Sequence, residues 1–137
     1  MASATPALAG GVFEVERDGD TIVVLPAADL RELDYLRIEA GARAVLQMLY
    51  GPGIKNLVVD FDKTDYYGTT ALGFFLRFWK AARERAGRMA FCNLSAHEQE
   101  ILRVTNLDHL WPICSSRAEA LEAVQCNEQR PAEAMPS

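Results

Sequence analysis

The sequence predicts an α/β sandwich built on one mixed sheet of four to five strands with about four α-helices, and three observations carry that expectation. Short β-rich runs alternate with segments of helical period. The first two runs are separated only by Asp18-Gly19-Asp20, whose Asp-Gly pair favours a tight hairpin, so the sheet opens antiparallel. After them strand, helix and strand follow one another, which requires a crossover and parallel pairing. At 137 residues the chain is long enough for one domain with a proper core and too short for two ordinary ones.

Each element has its own signal. Met1 to Gly11 is small and uncharged, and Asn127 to Ser137 carries Pro131 and Pro136, so residues 1–11 and 126–137 are expected to be disordered tails around a domain at 12–125. Val12 to Arg17 and Thr21 to Leu25 are the hairpin strands. From Leu33 the period changes: Ile38, Ala42, Val45, Leu46 and Leu49 mark one face of a helix that Gly51-Pro52-Gly53 stops. Asn56 to Phe61 reads as a central strand. Thr70 to Ala86 is the second helix with Gly87 at its C′ position, and Arg88 to Cys92 is the next strand. Ser95 with Glu98 forms a capping box for a helix over Ala96 to Thr105 that Asn106 ends. After a short extended segment through Pro112, Ile113 and Cys114, Ser116 with Glu119 starts a last helix that runs to about Val124.

Composition narrows the function. Half the residues are apolar and the net charge is -5, so a polyanion is repelled overall, and no Lys/Arg cluster offers a local exception; nucleic acid is not an expected partner. No apolar run approaches the roughly 20 residues that cross a bilayer, and the start has no basic stretch to open a signal peptide. The three cysteines, Cys92, Cys114 and Cys126, are odd in number and widely spaced, which builds neither a disulfide framework nor a Cys-x-x-Cys metal site. A reducing, cytoplasmic setting without membrane insertion is expected.

The segment from Asp60 to Gly73 carries most information. A hydrophobic strand ends in a tight turn, and Gly68-Thr69-Thr70 opens an amphipathic helix at the carboxyl end of a parallel strand, where binding sites form in such sheets. The unpaired amides of a first helical turn favour a negative group, such as a phosphate carried on a threonine there. Thr69 and Thr70 are the candidate acceptors; the alternative is that Thr69 simply caps the helix with Thr70 as its first residue. At 100° per residue, Leu72, Phe75, Leu76, Trp79, Ala82 and Ala86 face the sheet. Phe74, Arg77, Phe78, Ala81 and Arg85 then point outward below Thr70 as an aromatic and basic patch, a partner-binding surface that a charge on Thr70 would alter. In the alternative arrangement Phe78 tucks under the neighbouring helix and Phe74 alone is exposed.

Other chemistry finds no purchase. Asp60, Asp62 and Asp65 resemble a calcium loop only superficially, because Asp65 stands where Gly is needed and Ala71 where a bidentate Glu belongs. Asp60 is expected to end its strand, with Asp62 and Asp65 shaping the loop. His97 and His109 have no carboxylate or cysteine at ligand spacing and read as surface residues. Of Tyr66 and Tyr67, one should face inward and one outward. With no nucleophile elbow, phosphate loop or paired acid and base, neither enzyme activity nor a cofactor or metal is expected.

Leu57 to Gly73, then Gly87-Arg88-Met89, then Thr105-Asn106-Leu107-Asp108-His109-Leu110-Trp111-Pro112-Ile113, together resemble the STAS domain of bacterial anti-sigma factor antagonists. The resemblance covers roughly Phe13 to Val124 and implies the STAS fold. The family turn usually reads Asp-Ser-Ser-Gly-Leu-Gly; here it is Gly68-Thr69-Thr70-Ala71-Leu72-Gly73. By that resemblance the chain is a non-enzymatic regulator of transcription. It would bind a kinase-like anti-sigma factor, a serine/threonine kinase, in a partner-switching pathway, and Thr70 maps onto the phosphorylated position. Gly68 replaces the usual Asp, which leaves open an unmodified scaffold or accessory subunit, in a stress-signalling assembly with copies of itself or other STAS proteins or in a lipid-transport ABC complex. A third reading is a sensor of nucleotides or lipids with Tyr66 and Tyr67 as contacts.

Overall fold

The computed structural model describes residues 7–9, 12–31 and 34–125. Among them one sheet holds six strands in sequence order: β1 (Ala7–Ala9), β2 (Phe13–Asp18), β3 (Thr21–Pro26), β4 (Asn56–Asp60), β5 (Met89–Cys92) and β6 (Ile113–Cys114). The first three are antiparallel and the last three join β3 in parallel, so the sheet is mixed as the alternation of elements requires. Four helices cover it: α1 (Tyr35–Leu49), α2 (Thr69–Glu84), α3 (Ala96–Val104) and α4 (Arg117–Gln125).

β1 corrects one expectation. Ala7, Leu8 and Ala9 pair with Val15, Glu14 and Phe13, inside the segment expected to be a tail. Backbone pairing with an existing strand holds an edge strand whatever its side chains bury, which composition does not reveal. The rest of the two expected tails, and Leu33 at the expected start of the first helix, lie outside the described residues.

The hairpin closes in the expected segment, but with Gly19 and Asp20, not Asp18 and Gly19, as its two loop residues. Asp18 pairs with Thr21 across a two-residue loop whose Gly19 has φ +63°. On one face of the sheet Ile22, Leu57 and Met89 lie in register, as do Val24, Val59, Phe91 and Ile113. This face meets α1, α2 and α3 in the larger core, with Phe61, Tyr67, Phe75 and Phe91 in mutual edge and tilted contacts at 5.0–5.6 Å between ring centroids. On the other face Val23, Leu25, Val58, Ala90 and Cys92 pack under Ala120 and Val124 of α4.

α2 is buried on two sides, and here the outward patch fails. Phe74, Phe78 and Ala81 are all buried, and Phe78 is fully so. Phe78 meets the edge of Phe13 on β2 at 6.3 Å, and Phe74 lies under Tyr35 of α1 at 5.8 Å. Arg85 is also internal in its bonding: its guanidinium donates to the carbonyls of Ile54 (2.9 Å) and Gly51 (3.1 Å). The wheel orients the sheet-facing stripe correctly for Leu72, Phe75 and Ala82, with Leu76 and Trp79 half-buried against the same core. It cannot show that α1 packs alongside and claims the next arc.

The end of α2 holds a second correction. Ala86, not Gly87, occupies the left-handed C′ position, with φ +62°, and is exposed rather than core-facing. The Gly87 amide bonds to the Ala82 carbonyl (2.8 Å) and the Ala86 amide to that of Arg83 (3.0 Å), a Schellman closure. Glycine is required one residue later for close approach: a Cβ on Gly87 would stand 1.7 Å from the Lys55 carbonyl oxygen.

Two glycines of this region therefore have opposite consequences. Gly87→Ala forces the backbone apart from Lys55 and is expected to cost about 2 kcal/mol or more. Gly73 lies exposed inside α2, with nothing within 4 Å of an added Cβ. Gly73→Ala is expected to stabilise the fold by roughly 0.5–1 kcal/mol. Urea unfolding of the two variants beside the parent reads both signs.

Candidate functional site

The turn between β4 and α2 sits at the carboxyl ends of the parallel strands, held from three directions. Gly68 is its pivot. It is the N-cap of α2, with φ −84° and ψ 171° and no side-chain cap, so Thr69 is the first helical residue and Thr70 the second. Thr69 therefore does not cap the helix. The Gly68 amide donates to the Leu30 carbonyl (2.7 Å), and the Leu30 amide donates back to Tyr66 (3.3 Å). Leu30, itself buried, pins the turn to the connection between β3 and α1. From the same connection, the Asp29 carboxylate accepts the Asp65 amide (3.1 Å).

α3 supplies the second hold. Its capping box is complete: the Ser95 hydroxyl accepts the Glu98 amide and the Glu98 carboxylate accepts the Ser95 amide. Glu98 is fully buried and its other oxygen accepts the Thr64 hydroxyl at 2.8 Å. The Tyr67 hydroxyl donates to the Glu98 carbonyl and the Ser95 hydroxyl donates to that of Asp65, each at 2.8 Å. Burial pushes the Glu98 carboxyl up, against the bonds from Ser95 and Thr64 that favour its charged form. Burial, then the nearby Glu98, likewise raises the Tyr67 phenol. Of the tyrosine pair, Tyr67 is inside and Tyr66 is half-buried, stacked on His97 at 5.4 Å.

The third hold is ionic and lies on the α4 side of the sheet. Asp60 ends β4 as expected, and its carboxylate accepts the Asp62 amide (3.0 Å), the Asn93 side-chain amide (2.9 Å) and Arg117 Nε (3.0 Å). Arg117, at the start of α4, also donates to Glu16 of β2 at 2.7 Å. Loop shaping thus falls to Asp60 and Asp29, while Asp62 and Asp65 contribute their backbone amides. In the last helix the Ser116 hydroxyl accepts the Glu119 amide (3.1 Å), but the Glu119 carboxylate turns to Ser115 instead of closing the box.

On this frame Thr69 is exposed and Thr70 half-buried. The outward stripe of α2 runs Thr69, Gly73, Arg77, Lys80 and Glu84, all exposed, with Arg77 lying over the Phe74 ring at 5.3 Å. Of the residues expected at a partner surface, Thr69, Thr70 and Arg77 lie on this side, with Gly68 buried at the head of the helix; Phe74, Phe78 and Ala81 belong to the interior packing, and Arg85 is half-buried with its guanidinium on the Ile54 and Gly51 carbonyls. Sequence reasoning missed Leu30, Asp29 and Thr64. Only Thr64 had a signal, the Ser95/Glu98 box, which places an acid whose second oxygen needs a partner.

The STAS domain profile matches residues 13–120. The chain belongs to the STAS domain family. A STAS domain protein of Planctomyces limnophilus, named as an anti-sigma-factor antagonist domain, is 29% identical and superposes with a TM-score of 0.71 over 81% of this chain and 96% of its own. A Thermotoga maritima structure named for the same role shares the fold at a TM-score of 0.70 and 19% identity, covering 84% of this chain and 96% of that one. BtrV of Bordetella bronchiseptica, also named as an anti-sigma factor antagonist, is 27% identical over 71 residues, which are 52% of this STAS chain and 61% of BtrV. The chain thus spans less than two thirds of that relative's length. Among the described residues no helix is long and apolar enough to cross a membrane.

The buried Glu98 makes the clamp pH-sensitive in a defined sense. Unfolded, it titrates near 4.5; folded, it titrates higher, so the native state holds the proton more tightly. That contribution to stability is fully present below pH 4.5 and is lost as pH rises through the folded-state value. Glu98→Gln keeps an acceptor for the capping box and removes the titration. Its urea midpoint should gain on the parent's as pH goes from about 4 to about 7; a constant difference would show that burial does not perturb this carboxyl.

Proposed function

We propose that this STAS domain is a non-enzymatic, cytoplasmic regulator of the anti-sigma factor antagonist type, which binds a kinase-like anti-sigma factor through the Gly68-Thr69-Thr70 turn and the outer stripe of α2. Thr70 is its phosphoacceptor. The observation that carries the reading is the position of Thr70: second residue of a 16-residue helix, at the carboxyl ends of parallel strands, on a turn locked by Leu30, Asp29 and Glu98. A phosphate there stands at the positive end of the α2 dipole, which stabilises the dianion, and it changes the charge of the surface a partner reads. The names of the relatives support the same class of partner.

The surface differs from the aromatic patch that the sequence suggests. With Phe74 and Phe78 inside, what a partner meets beyond the turn is Gly73, Arg77 and Lys80. Gly68 as N-cap favours a second reading, a scaffold that binds without modification, because no carboxylate precedes the two threonines.

Incubation with the kinase-type anti-sigma factor and ATP is expected to add one phosphoryl group, seen by intact mass, and Thr70→Ala, but not Thr69→Ala, abolishes it. Thr70→Glu should weaken binding of that partner by about tenfold or more, some 1.4 kcal/mol. No mass gain together with unchanged binding by Thr70→Glu leaves the unmodified scaffold.

A further inference from the structure

Two of the three cysteines, unrelated by spacing in the sequence, are neighbours in the sheet. Cys92 ends β5 and Cys114 ends β6, directly paired in parallel register. Both face α4: Cys92 is buried in the smaller core with Val58 and Ala120, and Cys114 packs half-exposed against the same cluster. Adjacent strands lie about 4.7–4.9 Å apart, within the roughly 4.4–6.8 Å between Cα atoms that a disulfide spans. β6 is a two-residue strand at the edge of the sheet; besides its ladder with β5, the Phe91 amide donates to the Pro112 carbonyl (2.9 Å) and the Asn93 amide to the Cys114 carbonyl (3.4 Å).

We propose that Cys92 and Cys114 are a thiol pair that closes into an intramolecular disulfide on exposure to a peroxide. Exposure sets the order of events. The Cys114 sulfur, as thiolate, attacks one peroxide oxygen; the O–O bond breaks, leaving a sulfenic acid on Cys114 and a hydroxide that takes up the thiol proton as water. The Cys92 sulfur then attacks the Cys114 sulfur, the S–O bond breaks, and the departing hydroxide leaves as water with the Cys92 proton. Two thiols lose two electrons and two protons, and one hydrogen peroxide becomes two waters. Burial, then Asp60, pushes the Cys92 thiol up to about 12, and burial, then Glu119, raises Cys114. The pair therefore rests as thiols at neutral pH and reacts faster as pH rises.

The bond would close the segment that contains α3, whose Ser95 and Glu98 hold the Thr70 turn, and would tie it to the strand next to Asp60. It is independent of whether Thr70 is phosphorylated.

The test uses the full chain carrying Cys126→Ser, treated with hydrogen peroxide at about pH 8 and analysed by intact mass after denaturation and alkylation without reductant. The expected product has lost two hydrogens, carries no alkyl group, yields one peptide joining Cys92 to Cys114, and returns to two alkylatable thiols with dithiothreitol. Its Tm should rise by about 5–15 °C, as closing a loop of this length implies. Adding Cys114→Ser should leave Cys92 reduced and alkylatable after the same treatment. Oxygen added to Cys114 with Cys92 still alkylatable, or disulfide-linked dimers in place of the internal bond, would overturn the proposal.

Discussion

The buried carboxylate of Glu98 is the constraint on which the turn ahead of α2 rests. One oxygen completes the cap of α3 and the other fixes Thr64 in the loop after β4, so a single side chain joins the start of one helix to the approach of another. A buried carboxylate is tolerable only if its lone pairs are used, and the reciprocal statement is that the loop cannot move away without stranding it. Tyr67 adds a phenol on the Glu98 carbonyl, and Leu30 adds a two-bond bridge from the far side. Thr69 and Thr70 are thereby presented from a rigid mount, although the turn itself consists of residues that could adopt many shapes.

Much of this was legible in the residues and some was not, for identifiable reasons. Gly19 in the hairpin, the apolar run from Asn56 and the Ser95/Glu98 box each carry a local signal whose cause is local, and the corresponding elements are where those signals put them. The burial of Phe74 and Phe78 has a non-local cause. α2 is wedged between the sheet and α1, so its apolar arc includes Ala71, Phe74, Phe78 and Ala81 as well as the sheet-facing stripe. A helical wheel drawn for one packing surface assigns the second arc to solvent. β1 escaped because a ladder of backbone bonds has no compositional mark. Leu30, Asp29 and Thr64 sit in loops whose roles depend on what lies across from them, and spacing along the chain does not encode that.

Moving the phenylalanines inside changes what regulation at the turn can mean. A charge on Thr70 cannot reshape an aromatic patch that is not at the surface; it acts on the turn and on the stripe through Gly73 and Arg77. Arg77 lies over Phe74, which in turn contacts Tyr35, so the surface cation is coupled by packing to the first turn of α1. The side chains that stabilise the fold and those exposed on the outer stripe of α2 are thus adjacent layers of one stack.

The borders of the sheet set the manner in which this domain can associate with anything. Among the described residues the outer strands are three residues long on one side and two on the other, and the stretch of β2 beyond β1 carries Glu16, Arg17 and Asp18. Such rims offer few free donors and acceptors for an incoming strand, and charges discourage its approach. Recruitment by extending the ladder is disfavoured, so a companion molecule must engage through helix flanks and connecting loops, contacts that can be made and released without rebuilding the scaffold.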